Sequence, residues 1–63
     1  MHPKIVTVVH HVPRKGVQTK VFDEVRPALE YARMLVETNP NEHTIEVWDT
    51  GYKVSSEKGN RVV

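Results

Sequence analysis

Residues 4–12 are rich in β-branched residues, a pattern of hydrophobic and polar positions that favours a β-strand. Successive side chains of a strand point to opposite faces, so residues two apart share a face. On this basis the stretch divides into two sets, with Val6, Val8, His10 and Val12 on one face and Ile5, Thr7, Val9 and His11 on the other. Because both sets are partly apolar, the pattern indicates an interior strand, or a strand whose second face another chain covers.

A second alternating stretch follows a short turn. Residues 13–16 contain Pro13 and Gly16, and both residue types favour tight turns. The stretch after the turn, residues 17–22, carries two sets of side chains, with Val17, Thr19 and Val21 on one face and Gln18, Lys20 and Phe22 on the other. The two stretches therefore predict a β-hairpin.

From Glu24 the hydrophobic period changes from two to the 3.6 residues of an α-helix. The apolar residues that form one stripe along this helix are Val25, Ala28, Leu29, Ala32, Leu35 and Val36. Pro27 is tolerated in the first turn, where its missing N–H needs no helical partner, so we expect the helix to begin near Glu24. Pro40 disfavours helical geometry at Asn39, and the helix is expected to end within residues 38–41.

A third strand is predicted at residues 43–49, where the alternation is strict. Ile45 and Val47 fall on one face, and Glu46 and Trp48 fall on the other. The chain has a single Trp, and this pattern directs it away from the aliphatic face. With one helix available to cover the sheet, the face that carries Trp48 is expected to meet water or a partner.

The C-terminal part of the chain predicts a second hairpin. Residues 49–51 suit a short loop with Gly51 at positive φ, which leads to a fourth strand at residues 52–55. Residues 56–63 have no periodic pattern, and they are expected to form either a flexible tail or a short final strand at residues 61–63.

The order of elements is β-β-α-β-β. This order predicts an α+β fold, in which one helix packs on one face of a mainly antiparallel sheet and residues 1–63 form a single domain. We expect the helix to cover the face that carries one set of the first strand together with Val17, Val21, Ile45 and Val47. The opposite face would then carry Lys20, Phe22, Glu46, Trp48 and Lys53.

Composition and charge exclude several classes of protein. A chain of 63 residues buries only about 60% of its unfolded surface, so its stability is expected to be marginal without oligomerisation or a staple. There is no Cys, which excludes disulfides and suits a reducing, cytoplasmic location. A net charge of +1 is unlike that of a DNA mimic or a strongly basic nucleic-acid binder. No segment approaches the roughly 20 apolar residues of a membrane span.

The sequence predicts no catalytic centre, metal site or cofactor. The histidines are His2, His10, His11 and His43. Because His10 and His11 are adjacent in a strand, their side chains point to opposite faces and are not expected to hold one ion. The carboxylates fit caps, helix surface and turns, and neither a nucleophile elbow around Ser55 and Ser56 nor a glycine-rich phosphate loop is present.

Protein binding is the function that the exposed aromatic residues favour. Trp and Tyr are enriched at interfaces, where they combine a large apolar surface with a polar tip. We expect Trp48 and Tyr52 to anchor a protein partner, with Lys20, Glu46 and Lys53 adding polar specificity. The alternative is that Trp48 and Tyr52 form a cross-strand pair that only shields their own hairpin.

Two further functions are compatible with the sequence. The hairpin cations Arg14, Lys15 and Lys20 could contact phosphates, with the aromatic residues stacking on bases, which would make the chain a nucleic-acid-binding module. The two-sided apolarity of the first strand also suits a homodimeric structural domain, in which a second copy covers part of the sheet.

The chain resembles a class of small bacterial and phage domains built from a hairpin, an Ala-rich amphipathic helix and one or two further strands. The residues that carry the resemblance are Val21, Phe22 and Asp23, the helical residues Ala28, Tyr31, Ala32, Arg33 and Leu35, and residues 46–51. Some members of this class are phage-encoded inhibitors of bacterial RNA polymerase. The resemblance implies a small phage-encoded or accessory protein that binds and modulates a host enzyme without catalysing a reaction.

Overall fold

The computed structural model describes residues 4–62, which form a four-stranded sheet and one helix. The elements are β1 (Val6–Val12), β2 (Gly16–Phe22), α1 (Val25–Thr38), β3 (Thr44–Asp49) and β4 (Tyr52–Lys58). The strand order is β2-β1-β3-β4, and every neighbouring pair is antiparallel. The α+β class and the β-β-α-β-β order are therefore confirmed.

The C-terminal segment differs from its prediction. β4 is longer than the predicted 52–55, because it continues to Lys58. Arg61 and Val62 belong to no strand, so the predicted final strand is wrong at these two positions, and its last residue lies outside the described residues.

The hydrophobic core lies between α1 and the two central strands. The residues that α1 buries are Ala28, Ala32 and Val36, which are spaced by four and so form one line along the helix. This line faces the buried side chains of β1 and β3, which are Val6, Val8, Ile45 and Val47. Two small alanines let the helix approach the sheet closely, and the partly buried Phe22, Val25, Tyr31 and Leu35 pack around this centre.

The face assignment of β2 is the opposite of the predicted one. In the pairing with β1, Lys20 lies opposite Val8 and Phe22 lies opposite Val6, so both share the helix-covered face. Phe22 packs on the core and lies 5.6 Å from the ring of Tyr31, centroid to centroid. The Nζ of Lys20 lies 4.9 Å from the centroid of the Tyr31 ring. The prediction that Lys20 and Phe22 lie on the uncovered face is therefore wrong.

The prediction that Val17 and Val21 lie under the helix is wrong for the same reason. Their side chains are 56% and 63% exposed on the other face. The cause is the length of the turn: the N–H of Lys15 donates to the carbonyl of Val12 (3.0 Å), and Val12 pairs with Gly16. Because three loop residues separate the paired Val12 and Gly16, even-numbered residues of β1 pair with even-numbered residues of β2. This pairing places Lys20 and Phe22 beside the buried valines of β1.

The turn between β3 and β4 has two loop residues, which differs from the three that the sequence suggested. Thr50 and Gly51 both have positive φ, 51° and 89°, as the two central positions of a type I′ hairpin turn do. The predicted positive φ of Gly51 is confirmed. Asp49 consequently pairs with Tyr52.

A β-bulge follows this turn. Trp48 pairs with Lys53, but Val47 pairs with Ser55, so Val54 is the extra residue. The cross-strand pair of Trp48 with Tyr52 that the sequence left open is not formed.

The end of α1 is held by the segment that follows β4. The backbone N–H of Asn60 donates to the carbonyl oxygen of Val36 (2.8 Å), and the side-chain amide of Asn39 donates to the carbonyl of Leu35 (2.8 Å). These bonds satisfy helix carbonyls that have no partner within the helix. Residues 59–61 therefore act as part of the helix cap.

Gly59 is buried at the centre of this contact. Its N–H donates to the carbonyl oxygen of His43 (2.9 Å). A Cβ atom at this position would overlap the backbone oxygens of Asn39 and Pro40. Backbone atoms cannot move aside as a flexible side chain can, so only glycine fits.

Gly59→Ala is expected to lower the free energy of unfolding by about 3 kcal/mol, because the added methyl overpacks a backbone contact. Gly51→Ala is the matched control: its Cβ would meet open space, so it should cost only the backbone strain of positive φ, about 1–2 kcal/mol. Urea unfolding followed by circular dichroism measures both. A smaller loss for Gly59→Ala than for Gly51→Ala would contradict this description of the C-terminal segment.

Candidate functional site: the open face of the sheet

The face of the sheet opposite α1 is called the open face here. The strand pairings arrange its side chains in three rows of four across β2, β1, β3 and β4. The rows are Val21, Thr7, Trp48 and Lys53, then Thr19, Val9, Glu46 and Ser56, then Val17, His11, Thr44 and Lys58. Because α1 is the only helix among residues 4–62, no second helix of the described chain covers this face.

The open face has an apolar half and a charged half. On the side of β1 and β2, Val17, Val21 and Ile5 are each more than half exposed. On the side of β3 and β4, the exposed cations Lys53 and Lys58 occupy the outer strand. An uncovered sheet face is usually more polar than this, so the apolar half is unusual for a surface that meets only water.

A hydrogen-bonded group lies at the centre of the open face. The indole Nε1 of Trp48 donates to Oε1 of Glu46 (3.1 Å), and Nε2 of His11 lies 3.2 Å from the same oxygen. Trp48 and Glu46 are two apart in β3 and so share a face, and His11 is a diagonal neighbour on β1. The sheet register therefore brings together three side chains from two strands.

The surroundings of Glu46 favour its ionised form. The hydrogen bond from Trp48 is the largest cause that lowers the pKa of Glu46, followed by the bond with His11, and the charge of Lys53 adds to them against the opposing effect of burial. The side chain of Glu46 is only 18% exposed. The hydrogen bond to this carboxylate orients the half-buried Trp48 ring.

The structure brings together some of the residues predicted to bind a protein. Trp48, Glu46 and Lys53 share the open face. Tyr52 pairs with Asp49 on the helix side and is 79% exposed at the end of its hairpin, and Lys20 also lies on the helix side. The predicted set is thus divided between two faces of the sheet.

Sequence reasoning missed His11 as a member of the site. The sequence indicates that His11 shares a face with Val9 and Thr7, but only the sheet register sets it beside Glu46.

The cations predicted for nucleic-acid binding also fall in two places. Arg14 and Lys15 lie in the turn between β1 and β2, where Arg14 has a φ of 68°. Lys20 lies on the helix side over Tyr31. Arg14 and Lys15 are thus at the end of the hairpin, and Lys20 is within β2.

A pair of histidines lies on the helix-covered side. Nε2 of His10 and Nδ1 of His43 are 2.8 Å apart, so one nitrogen donates a hydrogen to the other. His10 is 7% exposed, and burial is the main cause that lowers its pKa, followed by the neighbouring His43 and His11. The cleft beside His10 also holds Lys20 and Tyr31. Because the two residues are 33 apart in sequence, only the folded structure shows the pair.

No three His, Cys, Asp or Glu side chains within residues 4–62 converge as metal ligands would. A groove of about 740 Å³ lies between α1 and β4, and its floor is apolar at Val25 and Leu29. Its charged residues balance, with Arg26 and Arg33 against Glu30 and Glu57.

The helix α1 is neither long nor apolar enough to cross a membrane.

Trp48→Phe is expected to raise the pKa of Glu46, because phenylalanine keeps an apolar ring and removes the N–H that stabilises the carboxylate. The measurement is an NMR titration of the Glu46 side-chain carboxyl carbon in both proteins. Tyr52→Phe is the control, since it changes the other aromatic residue of the same hairpin. An unchanged pKa in Trp48→Phe would show that the hydrogen bond contributes nothing in solution.

The stability of the protein is expected to fall as the pH decreases below about 6.5, the pKa of an unfolded histidine. The fold lowers the pKa of His10, so between the folded and unfolded pKa values the unfolded state binds more protons, and protonation favours unfolding. Urea unfolding from pH 5 to pH 7.5 measures this effect. His10→Gln should flatten the dependence, whereas His11→Gln, on the opposite face, should retain most of the contribution from His10, because burial is the main cause of its lowered pKa. Equal slopes in the wild type and His10→Gln would contradict this assignment.

Comparison of the chain with protein-family models, with curated proteins and with solved structures gave no significant match. The identification of the candidate site therefore rests on the residues and geometry of this chain alone.

Proposed function

We propose that this protein is a non-enzymatic domain that binds another protein through the open face of its sheet. The observation that carries the proposal is the central group of Trp48, Glu46 and His11, which holds an aromatic side chain in one orientation beside exposed aliphatic residues. Interfaces are commonly organised in this way, with an aromatic anchor surrounded by apolar and polar contacts.

The apolar half of the open face supports a protein as the partner. Val17, Val21 and Ile5 expose more than half of their surface, and Val9 of β1 pairs with Thr19, which lies between Val17 and Val21 on β2. Covering these side chains would remove apolar surface from water, at roughly 25 cal/mol per Å². A partner with an apolar patch would also remove its own apolar surface from water on binding. This favours a protein surface over a highly charged nucleic acid.

The orientation of Trp48 supports its role as an anchor. A side chain that is already held loses less rotational freedom when a partner binds, and this loss is one of the main costs of association. Glu46 holds the indole without protruding, because its own side chain is 18% exposed. The carboxylate thus acts mainly by positioning Trp48.

The charged half of the open face indicates which partners fit best. Lys53 and Lys58 lie on β4, and the one carboxylate of the three rows, Glu46, is already hydrogen-bonded. The outer part of the face therefore has positive charge available for carboxylates of a partner. Charge pairs at the edge of an interface mainly increase the association rate and make it depend on salt.

The resemblance to small bacterial and phage domains favours one form of this function. In this form, a small phage-encoded or accessory protein modulates a host enzyme. The open face would then cover a surface of the enzyme and inhibit it sterically. Such modulation requires only binding, and it uses the same residues, Trp48 and its neighbours on β1 and β2.

The test is affinity capture from a bacterial lysate with the wild type and with two open-face variants, Trp48→Ala and Val21→Lys. Both variants should lose the partner that the wild type retains, because one removes the anchor and the other places a charge in the apolar half. Mass spectrometry identifies the partner, and titration with the purified partner gives the dissociation constant. Because aromatic anchors usually contribute a large part of the binding free energy, Trp48→Ala should weaken binding by about 30-fold or more.

Leu29→Lys is the matched control, since Leu29 is a 40% exposed aliphatic residue on α1, away from the open face. It should bind as the wild type does. Circular dichroism confirms that each variant is folded. If folded Trp48→Ala and Val21→Lys captured the same partner with unchanged affinity, the open face would not be the binding surface.

A further inference from the structure

The strand β2 lies at an edge of the sheet and is exposed on both of its faces. The strand order leaves β2 and β4 with one neighbour each. Every β2 residue from Gly16 to Val21 is exposed. The outer side of such a strand presents backbone N–H and C=O groups that can pair with a further strand.

The two edges differ in how well they resist such pairing. β4 contains the bulge at Val54 and the charged residues Lys53, Glu57 and Lys58, and these features discourage the addition of a strand. β2 pairs with β1 through seven consecutive positions without a bulge, and it has one charged residue, Lys20, and no proline. The β2 edge is therefore the open one.

The sequence of β2 is complementary to itself when two copies run antiparallel. If the pairing is centred on Thr19, then Val17 of one copy faces Val21 of the other, and Gln18 faces Lys20. Valines thus meet on the open face, and on the other face each Lys20 meets an amide that can accept a hydrogen bond. All seven residues of the strand pair in this register.

A neighbouring register does not share this complementarity. Centring the pairing on Lys20 would set the two lysines directly opposite one another, and like charges at opposed positions destabilise a sheet. Charge therefore favours the register centred on Thr19.

We propose that this protein forms a symmetric dimer by antiparallel pairing of two β2 strands through their outer edges. The two sheets join into one sheet of eight strands, which is a common way for an exposed edge to be satisfied. In each copy α1 packs mainly over β1 and β3 and less over β2, so the helix is centred away from the junction. The proposal uses an edge of the sheet, so it does not depend on the function proposed for the open face.

The dimer would also enlarge the open face. The two-fold axis is perpendicular to the sheet, so both open faces lie on the same side. Val17 and Val21 of the two copies would form a continuous apolar strip at the junction. The partner-binding surface would then be presented twice on one platform.

The test compares dimer dissociation constants from sedimentation equilibrium for the wild type and two variants of Gln18. Gln18→Lys sets lysine against Lys20 at two symmetric positions and should weaken the dimer about five- to tenfold at low salt. Gln18→Glu sets a carboxylate against each Lys20 and should tighten it by a similar factor. Both changes should shrink in high salt, because exposed charge pairs are screened.

Trp48→Ala distinguishes this interface from a dimer that stacks open face to open face. It should leave the dissociation constant of the dimer unchanged, even where it abolishes capture of another protein. Three results would overturn the proposal: a wild-type mass equal to one chain at millimolar concentration, a dimer that does not respond oppositely to the two Gln18 variants, or a dimer that Trp48→Ala dissociates. Circular dichroism of each variant checks that the fold is intact.

Discussion

The pairing of β1 with a strand on each side is the constraint on which the rest of the structure depends. β1 contributes Val6 and Val8 to the core, and its registers with β2 and β3 decide which face each residue of those two strands occupies. Backbone hydrogen bonds between neighbouring strands fix these registers. A register shift of one residue would move every side chain of a strand to the opposite face of the sheet. The buried core and the composition of the open face therefore follow from the same pairing.

A small core explains why the uncovered side of the sheet retains so much apolar surface. The buried hydrophobic side chains of the described residues are alanine, valine and isoleucine, and one helix of 14 residues covers two of the four strands well. Residues 4–62 contain no further element with which to cover the rest. Val17 and Val21 on the open face, and the unpaired edge of β2, are consequences of this shortage, and both surfaces are suited to association with another chain.

The polar groups are divided between the two faces by the same alternation. His10 and His11 are neighbours in sequence, yet His10 bonds to His43 on the covered side and His11 bonds to Glu46 on the open side. Burial makes the neutral form of His10 favourable, whereas hydrogen bonds from Trp48 and His11 favour the charged form of Glu46. Both effects act in the direction of lower stability in acid.

The sequence by itself determined the order and type of the elements, the start of α1, the glycine turn at Gly51 and the face of Trp48, because each depends on local periodicity or local backbone preference. The tertiary structure decided the face of β2, since the number of residues in the turn at Pro13 sets the register, and hydrophobicity alone favoured Val17 and Val21 as core residues. It also decided the contacts of His11 with Glu46 and the enclosure of Gly59. These depend on chain segments far apart in sequence, whose relative positions are set by strand pairing and helix packing and not by any local pattern.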